Sequence, residues 1–451
     1  MQHRGQKTTV GFLVDYNVDG YDLLSVYSVF NLFSKDVFEL IIIPLPTNNS
    51  TESNVAEMDV RYVETVCFWG VNVTAPPNAT LPQVDIIVIP AIDPLRSLKS
   101  ATTRRFLTSL FLEAEYVLTI CFGSAIPASL GFLDGQEATG TRAVFDALTT
   151  YGPKVCWVRN RRWVSSPPIK QKFWSSSGAS AGVDMAANFI AWFLGGTESS
   201  LVRDATILSI ENGLGMRIST DPADDPFAVQ KTWFGALPPI VFVVDRFLGI
   251  MKMLQHVEWS LLTILASTLK RPAIKVKPHR AWGKKLNVVI LGYDGVDANT
   301  FATFATNFSF DIPNCNTYSV KIGDDDGENT ISTGQGLKLL LEKNIKWLYD
   351  HSKSIDVVVI PDLSPNSGAI MPTKIITEVK NFVSSAHGLE VCIVPKGILD
   401  SDIDSKARVF ELKHGFLSAV CAFIELSELL KTDGAKSSLD FAEIHPMNRK
   451  I

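Results

Sequence analysis

Two stretches of this chain occur twice, in the same order and at nearly the same separation. Thr9-Val-Gly-Phe-Leu-Val-Asp-Tyr-Asn-Val-Asp19 aligns with Asn287-Val-Val-Ile-Leu-Gly-Tyr-Asp-Gly-Val-Asp297. Asp85-Ile-Ile-Val-Ile-Pro90, with Pro94 beyond it, aligns with Asp356-Val-Val-Val-Ile-Pro361 and Pro365. One apolar match would mean little, because buried strands look alike; two in register point to a repeated unit. Each unit opens on a short apolar run, Val10–Val14 and Val288–Leu291, of the kind that forms a central parallel strand covered on both faces. Helices are expected near Leu23–Phe33 and Phe301–Phe304. In the first unit, Val37–Pro44 and Val84–Ile89 read as further strands, Arg61–Val73 as an alternating hairpin and Thr102–Glu115 as a helix. Alternation of strand and helix predicts a doubly wound α/β layer in each unit.

The expected organisation is a first domain over 1–235, a helical segment and basic linker over 236–285, a second domain over 286–432 and a polar tail over 433–451. The 451 residues suffice for two such domains. Hydrophobic residues make up 46% and charged ones 20%, the balance of a globular protein with sizeable cores. The net charge of −5 gives no general attraction to nucleic acid, and the basic stretch Lys270–Lys285 reads as a solvated connector. The apolar segment Ile240–Leu269 is interrupted by Asp245, Arg246, Lys252, His256 and Glu258, so it reads as a packed helix, not a membrane span. The six cysteines form no CxxC pair and no metal-ligand spacing. With no secretory h-region at the N-terminus, a reduced, cytoplasmic setting is expected, and the sequons at Asn48, Asn49, Asn72, Asn78 and Asn307 read as chance.

Cys121 ends the apolar run Tyr116-Val-Leu-Thr-Ile120 and is followed by Phe122-Gly123-Ser124 and a helix-like stretch, Ala125–Phe132. That places a thiol on a sharp strand-to-helix turn, at the carboxyl end of a strand, where ligands of such sheets sit. The free N–H groups of the following helix favour negative charge there and so favour the thiolate. The competing reading is a buried structural cysteine.

On these residues the first unit resembles the ThiJ/PfpI superfamily, of class I glutamine amidotransferase-like, flavodoxin-like fold, and within it the isocyanide hydratase branch. The resemblance rests on Gly11-Phe-Leu-Val-Asp-Tyr-Asn-Val with Tyr21-Asp22-Leu23; on Asp85 to Pro90; on Ile120-Cys-Phe-Gly-Ser124 with Leu130-Gly-Phe-Leu-Asp-Gly135 and Ala138-Thr139; and on Trp174-Ser-Ser-Ser-Gly-Ala-Ser-Ala-Gly-Val-Asp184. It implies two flavodoxin-like domains in tandem. It also implies Cys121 as nucleophile, Asp22 as its acid/base partner, and Ile92, Phe122, Gly123, Ser124 and Ser180 as substrate- or oxyanion-binding positions. Neither a cofactor nor a metal is called for, and the ligand is a small molecule. Asp22 has a second reading as the N-cap of the Leu23 helix. The sequence departs from the family at Ala91-Ile92, where Gly-Gly is usual, at Phe122, where hydratases tend to carry Thr, and at Ser25-Val26, where Gly-Pro is usual.

In the second unit Thr300 falls where Asp22 stands, and Pro395 falls about where Cys121 stands, so that unit is expected to be chemically inert. Members of the superfamily commonly pair, which implies that the second unit packs on the first as an internal pseudo-dimer; an independent domain on a linker is the alternative.

After His3 the first unit holds no histidine. Cys–His hydrolysis needs an imidazole beside the sulfur, so it requires His387 or His414 from the second unit. A cysteine–carboxylate pair needs none. The expected chemistry is thiolate attack on an isocyanide carbon, protonation from Asp22, and hydration of the resulting thioimidate to an N-formamide. A non-enzymatic thiol redox sensor and a related enzyme acting on another electrophile stay open beside it. The acidic turn Asp221–Phe227 reads as a loop.

Overall fold

The computed structural model describes residues 7–15, 18–46, 72–73, 83–142, 145–165, 172–196, 199–214, 216–222, 286–310, 315–323, 329–363, 370–399 and 407–412. Most of the expected Arg61–Val73 hairpin, the Ile240–Leu269 segment, the basic linker and the tail lie outside the described residues, as does most of the Asp221–Phe227 turn.

The first unit runs β1 (Thr8–Val14), α1 (Gly20–Asn31), β2 (Phe38–Pro44), β3 (Asn72–Val73), β4 (Ile86–Ile89), α2 (Pro94–Ser97), α3 (Ala101–Glu113), β5 (Tyr116–Ile120), α4 (Ala125–Ser129), β6 (Glu137–Ala138), α5 (Phe145–Thr149), β7 (Cys156–Trp157), β8 (Trp163–Ser165), β9 (Phe173–Ser176), α6 (Ala179–Gly195) and α7 (Ser200–Leu214). The second runs β10 (Leu286–Gly292), α8 (Ala298–Phe310), β11 (Cys315–Lys321), β12 (Thr330–Ser332), β13 (Lys338–Leu340), α9 (Ile345–Asp350), β14 (Val357–Val359), α10 (Thr373–Ser385), β15 (Val391–Pro395) and β16 (Arg408–Leu412).

The first sheet has the order β2-β1-β4-β5-β9-β8, parallel except for β8, which pairs antiparallel with β9 at the edge. The second has the order β11-β10-β14-β15-β16 and is parallel throughout. These are the doubly wound sheets expected from the apolar runs. The helix-like stretch after Cys121 is shorter than its composition implied: α4 stops at Ser129, and Gly131 turns the chain at φ +82°. Only glycine adopts such a turn at little cost.

The two units match in detail. The Asp85 carboxylate accepts from the Thr9 N–H at 2.8 Å, and the Asp356 carboxylate from the Asn287 N–H at 2.7 Å. Asp19 donates its N–H to the Ala91 carbonyl at 2.9 Å; Asp297 donates to the Asp362 carbonyl at 2.9 Å. The ladders correct one alignment. Ile86 pairs with Tyr116, and Val357 pairs with Val391, so Pro395 corresponds to Ile120 and Lys396 to Cys121. Lys396 is exposed. The nearby Cys392 is buried mid-strand, where desolvation pushes its thiol up to about 12.

Every residue of α1 from Gly20 to Phe30 is buried. A helix with no side facing water needs neighbours on all sides. One side is met by its own sheet and α6, where Phe12, Phe30, Phe38 and Phe189 pack ring to ring. The other is met by α8 of the second unit. Here the Tyr21 side chain hydrogen-bonds that of Thr303, which is 1% exposed. β3 adds a second link by pairing antiparallel with β13. Fully burying a large apolar side chain contributes roughly 1.5–3 kcal/mol, so a helix covered twice is a major share of the core. Replacing Thr303 with Arg puts a charge into that contact, and we expect a destabilisation of about 3 kcal/mol or more. Thr373→Arg, at the exposed start of α10, is expected to change stability by less than about 0.5 kcal/mol. Denaturant unfolding of the two full-length variants measures the difference, and equal effects would contradict a buried α1–α8 contact.

Candidate active site

β5 ends at Ile120, and the chain turns at once. Cys121 adopts φ +58°, the one non-glycine residue with positive φ among the described residues. That conformation sets Cβ against the backbone and costs on the order of 1–3 kcal/mol, so surrounding contacts must hold it. They are visible. The Thr141 N–H donates to the Cys121 carbonyl at 3.1 Å, and the Ser124 hydroxyl donates to the same oxygen at 3.3 Å. Gly123 lies against the end of β4: a Cβ there would stand 2.3 Å from the Ile89 carbonyl oxygen and 2.7 Å from that of Pro90. Gly140 closes the other side, where a Cβ would meet the Ser124 hydroxyl at 2.6 Å and the Cys121 carbonyl at 2.7 Å. The sulfur-bearing residue is thus clamped in a one-turn helix over Cys121–Ser124 and is 8% exposed.

Asp22 comes from the first turn of α1. Its expected alternative role as N-cap belongs to Asp19, whose carboxylate accepts from the N–H groups of Tyr21 and Asp22 at 2.9 and 3.0 Å. Asp22 is the third residue of the helix, 1% exposed, and its carboxylate accepts from the Ala91 N–H at 3.1 Å. With the Asp19 N–H on the Ala91 carbonyl, two hydrogen bonds run in opposite senses between this turn and the residue after Pro90. The Ala that replaces the family's first Gly therefore holds the carboxylate. In the second unit the cap is repeated by Asp297, which accepts from the Thr300 N–H at 2.7 Å, but Thr300 brings no carboxylate.

The remaining expected residues divide. Ile92 and Phe122 are buried beside the site, at 1% exposure each. The Phe122 ring meets Tyr151 edge to face, with centroids 5.4 Å apart. Ser124 and Ser180 are tied into the scaffold, Ser124 to the turn as above and Ser180 to Arg162 Nη2 at 3.3 Å. Phe12, Phe173 and Trp174, which share the apolar character of a pocket lining, pack in the core against Phe30, Phe132 and Phe189.

Buried carboxyl groups gather past the ends of β1 and β4. Asp15 accepts from the Ser97 hydroxyl, and the N–H of Leu95 bonds Asp93 at 2.9 Å. Burial pushes Asp19 up to about 7 against the pull of its two backbone hydrogen bonds. Burial likewise raises Tyr151, and the Asp93 charge adds to it. Burial also raises Tyr21, followed by the negative charges of Asp22, Asp184 and Asp19. Among the described residues no group of three or more His, Cys, Asp or Glu side chains is arranged to hold a metal ion, and no helix is long and apolar enough to cross a membrane.

The site so described is a strained cysteine at the end of a central parallel strand, with an acid from the first turn of α1 bonded at the end of the neighbouring β4. The chain is similar to proteins of the ThiJ/PfpI superfamily. Over 131 residues it is 27% identical to the isonitrile hydratase of Pseudomonas putida, covering 27% of this chain and 51% of that protein. The chain thus spans about half the length of the curated relative it matches. A ThiJ/PfpI family protein from Pseudomonas syringae shares 18% identity over 54% of this chain and 91% of its own, with a TM-score of 0.37. Schizosaccharomyces pombe DJ-1 shares 14% over 45% of this chain and 98% of its own, with a TM-score of 0.31. No family model matches the chain.

Strain at the elbow has a measurable consequence. Glycine adopts φ +58° freely, so Cys121→Gly is expected to be about 1 kcal/mol more stable than Cys121→Ala. Denaturant unfolding of the two variants decides; an alanine variant as stable as the glycine one would show that the turn is unstrained.

Proposed function

We propose that the first unit is an isocyanide hydratase-type lyase, adding water to an isocyanide to give an N-formamide. The observation that carries this reading is the strained Cys121 elbow at the end of β5, with the Asp22 carboxylate pinned to Ala91 at the end of the neighbouring β4. The similarity to isonitrile hydratase supports the same reaction class.

The terminal carbon of an isocyanide is electrophilic at carbon and becomes basic once attacked. The Cys121 thiolate forms the C–S bond, and the carbon takes the proton of the Asp22 carboxyl, giving a thioimidate R–N=CH–S. The Asp22 carboxylate then accepts a proton from water as the water oxygen bonds to the same carbon. Transfer of the new hydroxyl's proton to nitrogen and breakage of the C–S bond return the thiolate and release R–NH–CHO, with Asp22 protonated as at the start. One water is consumed and no net proton is lost, so one nucleophile and one proton carrier suffice. Two adjacent anions repel, which favours one proton shared between the sulfur and the carboxyl. The N–H groups of Ile92 and Phe122 are the donors we assign to the developing charge.

We also propose that the second unit serves as a built-in partner. It covers α1, the helix that carries Asp22, while offering Thr300 and Lys396 where the first unit has its acid and thiol. A fragment of residues 1–235 that is folded, monomeric and fully active would remove that role.

The activity is tested by incubating the full-length chain with an aryl isocyanide and measuring N-formamide. Turnover is expected in the wild type and background only in Cys121→Ala. Asp22→Asn is expected to lower kcat by about 10²-fold or more. No formamide from the wild type, or undiminished turnover in Cys121→Ala, ends this assignment.

A further inference from the structure

Among the described residues of the first unit, Arg142 is half-buried with its Nε and Nη2 out of contact with water, and five carboxyl residues, Asp15, Asp19, Asp22, Asp93 and Asp184, are fully buried with one cation, Arg162. The cation is 0% exposed, as is its partner Asp184. Arg162 Nε donates to Asp184 Oδ2 at 2.8 Å; Nη2 donates to the same oxygen and reaches the Ser180 hydroxyl at 3.3 Å. The other Asp184 oxygen accepts the Ser219 N–H at 3.0 Å. The Arg162 backbone is fixed as well, with its N–H on the Pro222 carbonyl at 2.9 Å and its carbonyl accepting from Ser177 at 2.8 Å.

The elements that carry this pair pack against β5, the strand that ends at the elbow. Ser177 follows Ser176, which pairs in register with Ile120, the residue before Cys121. On α6, Gly182 lies between Ser180 and Asp184 and packs on Ile120, where an added Cβ would come within 2.9 Å. On the other side the Asp184 charge is felt at Tyr21, the neighbour of Asp22. A buried ion pair is weak evidence for stability, because desolvation opposes its attraction. Its placement matters more here. Crowded carboxylates oppose any further negative charge, including a thiolate. A guanidinium stays charged at all relevant pH and acts over longer range in a low-dielectric interior.

We propose that Arg162 is the counter-charge of the site, a positioning residue that acts through Asp184 and Ser180 to let Cys121 ionise beside Asp22. This deepens the cysteine–carboxylate reading and rests on it. The charged and titratable groups around the pair are Asp15 from the end of β1, Asp19 and Tyr21 from α1, Asp93 after β4, Arg142 beyond Thr141, Tyr151 after α5, and Asp184 from α6. From the second unit, α8 contributes no charged residue.

The test follows the rate at which iodoacetamide alkylates Cys121 as a function of pH, in the full-length chain. Peptide mass analysis separates Cys121 from the exposed Cys156. Removing the cation alone, in Arg162→Met, is expected to move the alkylation midpoint up by about one pH unit. Removing the anion alone, in Asp184→Asn, is expected to move it down by about as much. Arg162→Lys and the double variant Arg162→Met/Asp184→Asn are expected to stay near the wild type. A purely structural pair would move both single variants the same way or not at all, and that result overturns the proposal, as does a Cys121 that resists alkylation throughout. Should Arg162→Met fail to fold, Asp184→Asn alone decides by its direction. Because alkylation needs no turnover, opposite shifts without formamide would sink the hydratase assignment and keep the role of Arg162. Turnover without the shifts would do the reverse.

Discussion

A residue with a Cβ avoids left-handed backbone unless its neighbours leave it no choice. At Cys121 they do. Gly123 lets the turn press against the carbonyls that end β4, and Gly140 lets the Thr139–Thr141 segment reach the Cys121 carbonyl. These contacts depend on the sheet order, since β4, β5 and β9 must lie side by side for the elbow to be gripped from both flanks. The same order brings the β1–α1 turn to the end of β4, where Ala91 meets both Asp19 and Asp22. The geometry of Cys121 and of Asp22 is therefore a property of the parallel sheet.

Holding that geometry has an electrostatic cost. Carboxyl groups converge on the ends of β1 and β4, and burial keeps Asp19 protonated well above the usual carboxylate range. The cover over α1 adds to this. Its outer side faces α8, so the helix that positions Asp22 meets water on neither side. A water-poor surrounding strengthens each interaction of the charges it encloses, and among the described residues of this unit those groups are the buried acids, Arg162 and the buried Nε and Nη2 of Arg142.

Much of this was legible in the residues. The apolar runs Val10–Val14 and Val84–Ile89 read as strands because their burial on both faces leaves no polar alternation, and the structure places β1 and β4 there. The Cys-Phe-Gly-Ser turn announced the elbow through its small residues. Local rules failed where the deciding partner was distant in sequence. Asp22 reads as a cap by its position before Leu23, yet Asp19 takes that role because its N–H is fixed on Ala91. Pro395 looked like the counterpart of Cys121, and only the strand ladders shifted the match to Lys396. Arg162 lay hidden in Arg159-Asn-Arg-Arg162, which has the look of a solvated basic run. Nothing local distinguishes its last residue, because its partner Asp184 is on α6. The hydroxyls of Ser124 and Ser180 match the family's pattern while serving the scaffold.

The central claim is that Cys121 and Asp22 share one proton. It is tested most directly by titrating the thiolate ultraviolet absorbance of Cys121, taken as the difference from Cys121→Ser, in the wild type and in Asp22→Asn. A shared proton predicts that removing the carboxylate lowers the thiol midpoint by about one pH unit or more. A midpoint that does not move would show that the two groups do not sense each other.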